Sequence, residues 1–167
     1  MDGLKTKTPI LITGGIGAGK TRTAARIAAE LGKRGIEVGG VISLRAMRDN
    51  ETVGYTVRDL STGEERPFAG LNPPGIPVGR FFVSEEGLTF ARAAIIRATQ
   101  SAQVVFVDEV GRLELDGKGL ADAVRKALGG RALPVLLVRA EFSERACRTF
   151  AISRFIEIQA EKGGTCA

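Results

Sequence analysis

The sequence predicts an α/β fold in three layers, a mainly parallel central sheet with helices on both faces. Two observations carry this expectation. Short apolar runs alternate along the chain with segments whose apolar residues recur at helical spacing, the order that builds parallel sheets from strand–helix–strand units. The run Val104-Val105-Phe106-Val107 is continuously apolar, as a strand covered on both faces must be. The 167 residues suit one domain spanning 1–167. A chain of this size buries about 70% of its unfolded surface, so neither disulfides nor a structural metal are needed to hold it together.

In chain order, Pro9-Ile10-Leu11-Ile12-Thr13 reads as a buried strand ended by Gly14-Gly15. Ala24, Ile27, Ala28 and Leu31 mark a helix that starts at Lys20 and is closed by Gly32 and Gly35. Residues 36–44 read as a second strand, broken at Gly39-Gly40. Val53, Tyr55 and Val57 alternate with more polar neighbours, and Ser61-Thr62-Gly63 is a turn signal, so 53–68 reads as a β-hairpin. With the loop 71–75 and a further strand over 78–83, the region from about 50 to 83 is a hairpin excursion from the parallel plan. A helix begins at Ser84, with Leu88, Ala91, Ile95 and Ala98 on its apolar face. After the strand at 104–107, Leu120, Ala123, Val124 and Ala127 mark another helix, and 133–138 is a strand. Ser143 is placed to cap a short helix running to about residue 150, and 152–158 is expected as a last strand.

Composition narrows the function. The chain carries a net charge of +5 and no histidine, which leaves phosphate-bearing ligands open and removes the usual metal ligand and triad base. Its basic residues are scattered, Arg45 and Arg48 being mixed with Asp49 and Glu51, so they read as a solvated surface. With only 5% aromatic residues to stack on bases, nucleic-acid binding is disfavoured. Cys147 and Cys166 have no metal-ligand spacing, and Cys166 falls in a tail expected to fray. No leader is visible in the polar N-terminal stretch, and no apolar run approaches the roughly 20 residues of a membrane helix. A cytoplasmic protein without membrane association is expected, and its protein partners are left open.

Two motifs carry chemistry. Gly14-Gly15-Ile16-Gly17-Ala18-Gly19-Lys20-Thr21 fits G-x-x-x-x-G-K-S/T in full, between an expected strand and an expected helix. Glycines let backbone N–H groups converge on phosphates, and the following helix adds its positive end. Lys20 is placed to reach the β- and γ-phosphates, the Thr21 hydroxyl to ligate Mg²⁺, and Arg22 follows at once. This makes the expected architecture a P-loop NTPase fold that binds a nucleoside triphosphate with Mg²⁺ as cofactor. The second motif is Asp108-Glu109, delivered by the buried strand to the sheet edge where the phosphate loop also ends. Asp108 is assigned to the Mg²⁺ shell. Glu109, expected to point elsewhere because strand side chains alternate, is assigned to the attacking water. Among cations for the transition state, Arg112 is the nearest candidate, with Arg22 and Arg80 as others; Glu114 either faces the site or caps the next turn.

These residues resemble the small THEP-type P-loop nucleoside-triphosphatases along nearly the whole chain. Ile12-Thr13-Gly14 through Thr21 is similar to that family's phosphate loop, and Val38-Gly39-Gly40-Val41-Ile42-Ser43 to its glycine-marked second strand. Gly54-Tyr55 with Asp59-Leu60-Ser61-Thr62-Gly63-Glu64 resembles its hairpin, and Val78-Gly79-Arg80-Phe81 its "VGKY" segment. The most specific match is Asp108-Glu109-Val110-Gly111-Arg112-Leu113-Glu114-Leu115, which resembles "DEIGxMEL". The resemblance implies a RecA-like or kinase-like core and hydrolysis of nucleoside 5′-triphosphates to diphosphates with broad base tolerance. It also implies Asp108 on Mg²⁺ and Glu109 activating water. The chain departs from the family at Thr52-Val53, where an arginine is common, and after Ile158, where an Asn-Arg pair usually introduces a helix. Two other readings share the same phosphate loop: a kinase for a nucleotide or small metabolite, with an acceptor pocket walled by the hairpin, and a nucleotide-binding adaptor for a partner enzyme.

Overall fold

The apolar run at the start of the chain forms strand β1 (Ile10–Gly14), and helix α1 (Lys20–Lys33) follows the phosphate loop. The structure is a computed structural model and describes residues 7–160. Cys166, the expected frayed tail and most of the polar N-terminal stretch lie outside the described residues. The remaining strands are β2 (Val38–Arg48), β3 (Glu51–Asp59), β4 (Glu65–Gly70), β5 (Ile76–Val78), β6 (Phe81–Val83), β7 (Val104–Val110), β8 (Leu133–Arg139) and β9 (Ile156–Gln159). The remaining helices are α2 (Glu85–Ser101), α3 (Arg112–Leu115), α4 (Ala121–Gly129) and α5 (Ser143–Thr149).

Among the described residues all nine strands join one sheet, in the order β5-β6-β4-β3-β2-β7-β8-β1-β9. Strands β2, β7, β8, β1 and β9 run parallel, whereas β3, β4, β6 and β5 extend the sheet by antiparallel pairing beyond β2. The sheet is therefore mixed rather than mainly parallel. The reason lies in β2, which does not stop near residue 44. It runs on to Arg48 and turns back into β3 through Asp49 and Asn50, both left-handed with φ 50° and 62°. Two such residues in succession make the tight turn whose twist matches a hairpin. The excursion is thus hydrogen-bonded into the sheet plane.

Alternation along the strands sorts the core into two layers. Ile12, Ile42, Phe106 and Leu137 face α1 through Ala24 and Ala28. Leu11, Val41, Val105 and Leu136 face the opposite way, against Leu88 and Ile95 of α2 and Val124 of α4. Gly39-Gly40 does not break β2. Gly40 has φ 87°, and a Cβ there would lie 2.1 Å from the Phe106 carbonyl oxygen, so only glycine lets β2 lie against β7. Ser84 caps α2 by accepting from the Gly87 amide at 2.8 Å. Ser143 instead is the first residue of α5 and makes no side-chain cap. The expected strand over 78–83 is two short strands around a turn at Gly79, and the last strand is confined to Ile156–Gln159. No helix among the described residues is long and apolar enough to cross a membrane.

Candidate active site

Strand order decides what meets at the carboxyl edge of the sheet. β8 lies between β1 and β7, so the phosphate loop and Asp108-Glu109 are one strand apart, and the end of β8 sits between them. Gly17 and Gly19 take φ 73° and 88°, which turns the loop into the first turn of α1. Ile16, Gly17, Gly19, Lys20, Thr21 and Arg22 line a cavity of about 820 Å³, with Gly14, Gly15 and Ala18 building the loop behind them. The buried Lys20 ammonium donates to the Gly14 and Gly15 carbonyls at 3.2 and 3.1 Å, which holds its charge inside the curve of the loop.

Thr21 and Asp108, 87 residues apart in sequence, meet directly: the Thr21 hydroxyl donates to Asp108 Oδ2 at 2.7 Å. The Ser43 amide donates to the same oxygen at 2.9 Å, and the Ser43 hydroxyl donates to the Asp108 carbonyl at 3.1 Å. Asp108 is 3% exposed, and burial pushes its carboxyl up to about 7 against the lowering effect of Ser43 and Thr21. The sign for stability follows. Below the ordinary carboxylate value both folded and unfolded chains are protonated at this group. Between about 4 and 7 the unfolded chain ionises first, so the native state loses stability as pH rises. Asp108→Asn is therefore expected to melt higher than the wild type at pH 8 in a chelator-containing buffer, with the difference closing by pH 4. Thermal unfolding at the two pH values checks this, and an unchanged difference would contradict it.

Glu109 does not turn away from Asp108. The β7–β8 register slips between Asp108 and Val110, so Glu109 is the extra residue of a bulge, and both carboxylates line the cavity. Glu109 is half-exposed, and Arg139 Nε donates to its Oε1 at 3.0 Å. Arg112, the first residue of α3, lines the cavity, with its guanidinium 5.9 Å from the Phe142 ring. Arg22 and Arg80 line it too, Arg80 from the hairpin side, where it donates to the Thr52 carbonyl at 2.7 Å. Glu114 lines the cavity and is also the cap, buried with its carboxylate held by backbone amides. Its two oxygens accept from the Gly111 and Leu120 amides at 3.0 Å each, and burial raises its carboxyl above the ordinary value.

A family model described as NTPase matches residues 9–160. The chain is 40% identical over 120 residues to the nucleoside-triphosphatase THEP1 of Thermofilum pendens, covering 71% of this chain and 66% of that protein. It is 33% identical over 141 residues to the THEP1 of Thermococcus kodakarensis, covering 81% and 78%. This chain belongs to the THEP1-type NTPase family. The crystal structure of THEP1 from Aquifex aeolicus shares the fold of this family member, with a TM-score of 0.75 at 23% identity over 92% of this chain and 90% of that one.

In this THEP1-type NTPase the sequence motifs left two residues unmarked. Ser43 touches Asp108 through both its amide and its hydroxyl, but a serine ending an apolar strand carries no signal of its own. Arg139 pairs in register with Gly14 of the phosphate loop and bonds Glu109, so it stands between the two motifs. Its signal was available only as a charged residue closing an apolar strand, and the strand order that gives this position meaning is not written locally.

Proposed function

We infer that this chain, acting as one domain over 1–167, hydrolyses nucleoside 5′-triphosphates to the diphosphate and phosphate. The observation that carries the reading is the Thr21–Asp108 contact, which joins the phosphate loop to the acidic strand end with Glu109 in the same cavity. The loop amides and Lys20 are suited to hold the phosphates, and the N-terminus of α1 favours their charge. Thr21 and Asp108 fit Mg²⁺: both offer hard oxygen atoms, and this ion takes few protein ligands beside phosphate and water. Bound there, Mg²⁺ would supply charge neutralisation on the β- and γ-phosphate oxygens.

Glu109 accepts the proton of the attacking water, and Arg139 fixes the direction of that carboxylate. Arg112 faces the same space and adds positive charge towards the γ-phosphate. ATP, GTP, CTP and UTP are all accepted in this reading, in which Ile16, 72% exposed, and Ala25 offer an apolar surface that any base can cover. We place the activity in the cytoplasm.

Phosphate release from the four nucleotides, with Mg²⁺ and with chelator, tests this. Release with all four that vanishes in chelator is the expected result. Nucleotide bound without release would sink the hydrolase and favour the adaptor reading. Arg139 acts through Glu109, so Arg139→Ala is expected to lower kcat by about 10–100-fold with the nucleotide KM little changed, and Lys at this position to recover part of the loss. A rise in KM alone would assign Arg139 to nucleotide binding.

A further inference from the structure

We propose that Phe142 is a positioning residue, whose ring seats the Arg112 guanidinium so that its charge is held at the γ-phosphate end of the cavity. This rests on the hydrolase reading, in which Arg112 supplies that charge. Phe142 ends the short 3₁₀ turn Ala140–Phe142 that follows β8, so its ring comes back beside Arg139, the last residue of that strand. The ring is half-buried. It packs on the same core layer as Leu113 and lines the cavity together with Arg112, Arg139 and Glu109. Its place is therefore set by the core.

Two guanidinium groups meet this one ring. Arg112 lies 5.9 Å and Arg139 6.0 Å from its centroid, within reach of cation–π attraction. The two are held differently. Arg139 also has carboxylate partners, with Nε donating to Glu109 at 3.0 Å and Nη1 3.8 Å from Glu141. Arg112 is exposed and joins no ion pair among the described residues, so the direction of its side chain falls to Phe142. The backbone beneath it is already fixed, because Glu114 accepts from the Gly111 and Leu120 amides on either side of α3. A fixed backbone does not aim an arginine, whose long side chain still has many rotamers open to it. The ring favours those that lie over the cavity. Without it the charge spreads over rotamers in solvent, and less of it acts on the phosphoryl oxygens in the transition state. Lys20 and the loop amides still hold the nucleotide, so binding is little affected.

The test measures phosphate release from ATP with Mg²⁺ for the full chain and for Phe142→Leu, Phe142→Tyr, Arg112→Ala and the Phe142→Leu/Arg112→Ala double variant, with a melting curve for each. Phe142→Leu is expected to lower kcat by about 3–10-fold with KM little changed, and Phe142→Tyr, which keeps a ring, to recover most of the loss. The decisive readout is the double variant. If the ring works through Arg112, Phe142→Leu costs nothing further once Arg112 is alanine. The same 3–10-fold loss in that background overturns the inference, because the ring then serves packing or Arg139 instead. Phe142→Tyr as slow as Phe142→Leu, or Arg112→Ala as fast as the wild type, overturns it too. If the leucine protein does not fold, Phe142→Met, which fills the gap without a ring, takes its place in the cycle. No release from the wild type removes the hydrolase reading and this role with it, whereas normal release with an additive cycle removes the role of Phe142 alone.

Discussion

Glu109→Gln is expected to lower the rate of phosphate release by about 10²–10⁴-fold, the range over which a positioned general base acts, while nucleotide still binds. The amide keeps the shape of the side chain and the oxygen that accepts from Arg139 at 3.0 Å, so the fold and the cavity persist. What disappears is the capacity to take a proton. Glu109 is half-exposed and hydrogen-bonds Arg139, whereas Thr21 hydrogen-bonds Asp108, so the metal–nucleotide complex is held by other groups. Equilibrium binding of a fluorescent nucleotide together with phosphate release separates the two effects. Loss of binding in parallel with activity would move Glu109 from proton transfer to ligand holding.

Lys20→Ala is expected to act on both quantities, with kcat/KM lower by about 10³-fold. The Lys20 ammonium is the positive side chain held inside the phosphate loop, 8% exposed and bonded to two loop carbonyls. The β- and γ-phosphates gain charge in the transition state and keep it in the diphosphate product, so a cation here stabilises both binding and transfer. Removing the two hydrogen bonds costs the fold only about 1–2 kcal/mol, well below the catalytic effect. A melting curve beside the kinetics distinguishes a folded, inactive protein from an unfolded one. Retained activity in a folded Lys20→Ala protein would contradict the assignment.

The parts of this molecule that are legible in its sequence are those encoded locally. The phosphate loop is one, because glycine at set spacing before a lysine is itself the structure that cradles phosphate. The buried run 104–107 is another, since a strand covered on both faces has no polar residue to lose. The hairpin was visible from the alternation of Val53, Tyr55 and Val57. Its junction with β2 was not, because Arg45 to Arg48 looks like a charged surface until Asp49-Asn50 is seen to turn the chain back. The direction of Glu109 also escaped the period-two rule. A bulge shifts the register by one residue, and nothing in Asp-Glu-Val announces it. Arg139 escaped for a different reason: its importance comes from β8 lying between β1 and β7, which is a property of the whole sheet.

The in-plane junction of the hairpin has a kinetic consequence. A wall that shares backbone hydrogen bonds with β2 along residues 41–48 cannot swing shut over a bound nucleotide without tearing that ladder. Any gating must come from side chains at the rim, such as Arg80 and Ile16, rather than from a hinged flap. Water therefore enters the chamber freely between turnovers. The space beside Glu109 is then filled and emptied without a conformational checkpoint.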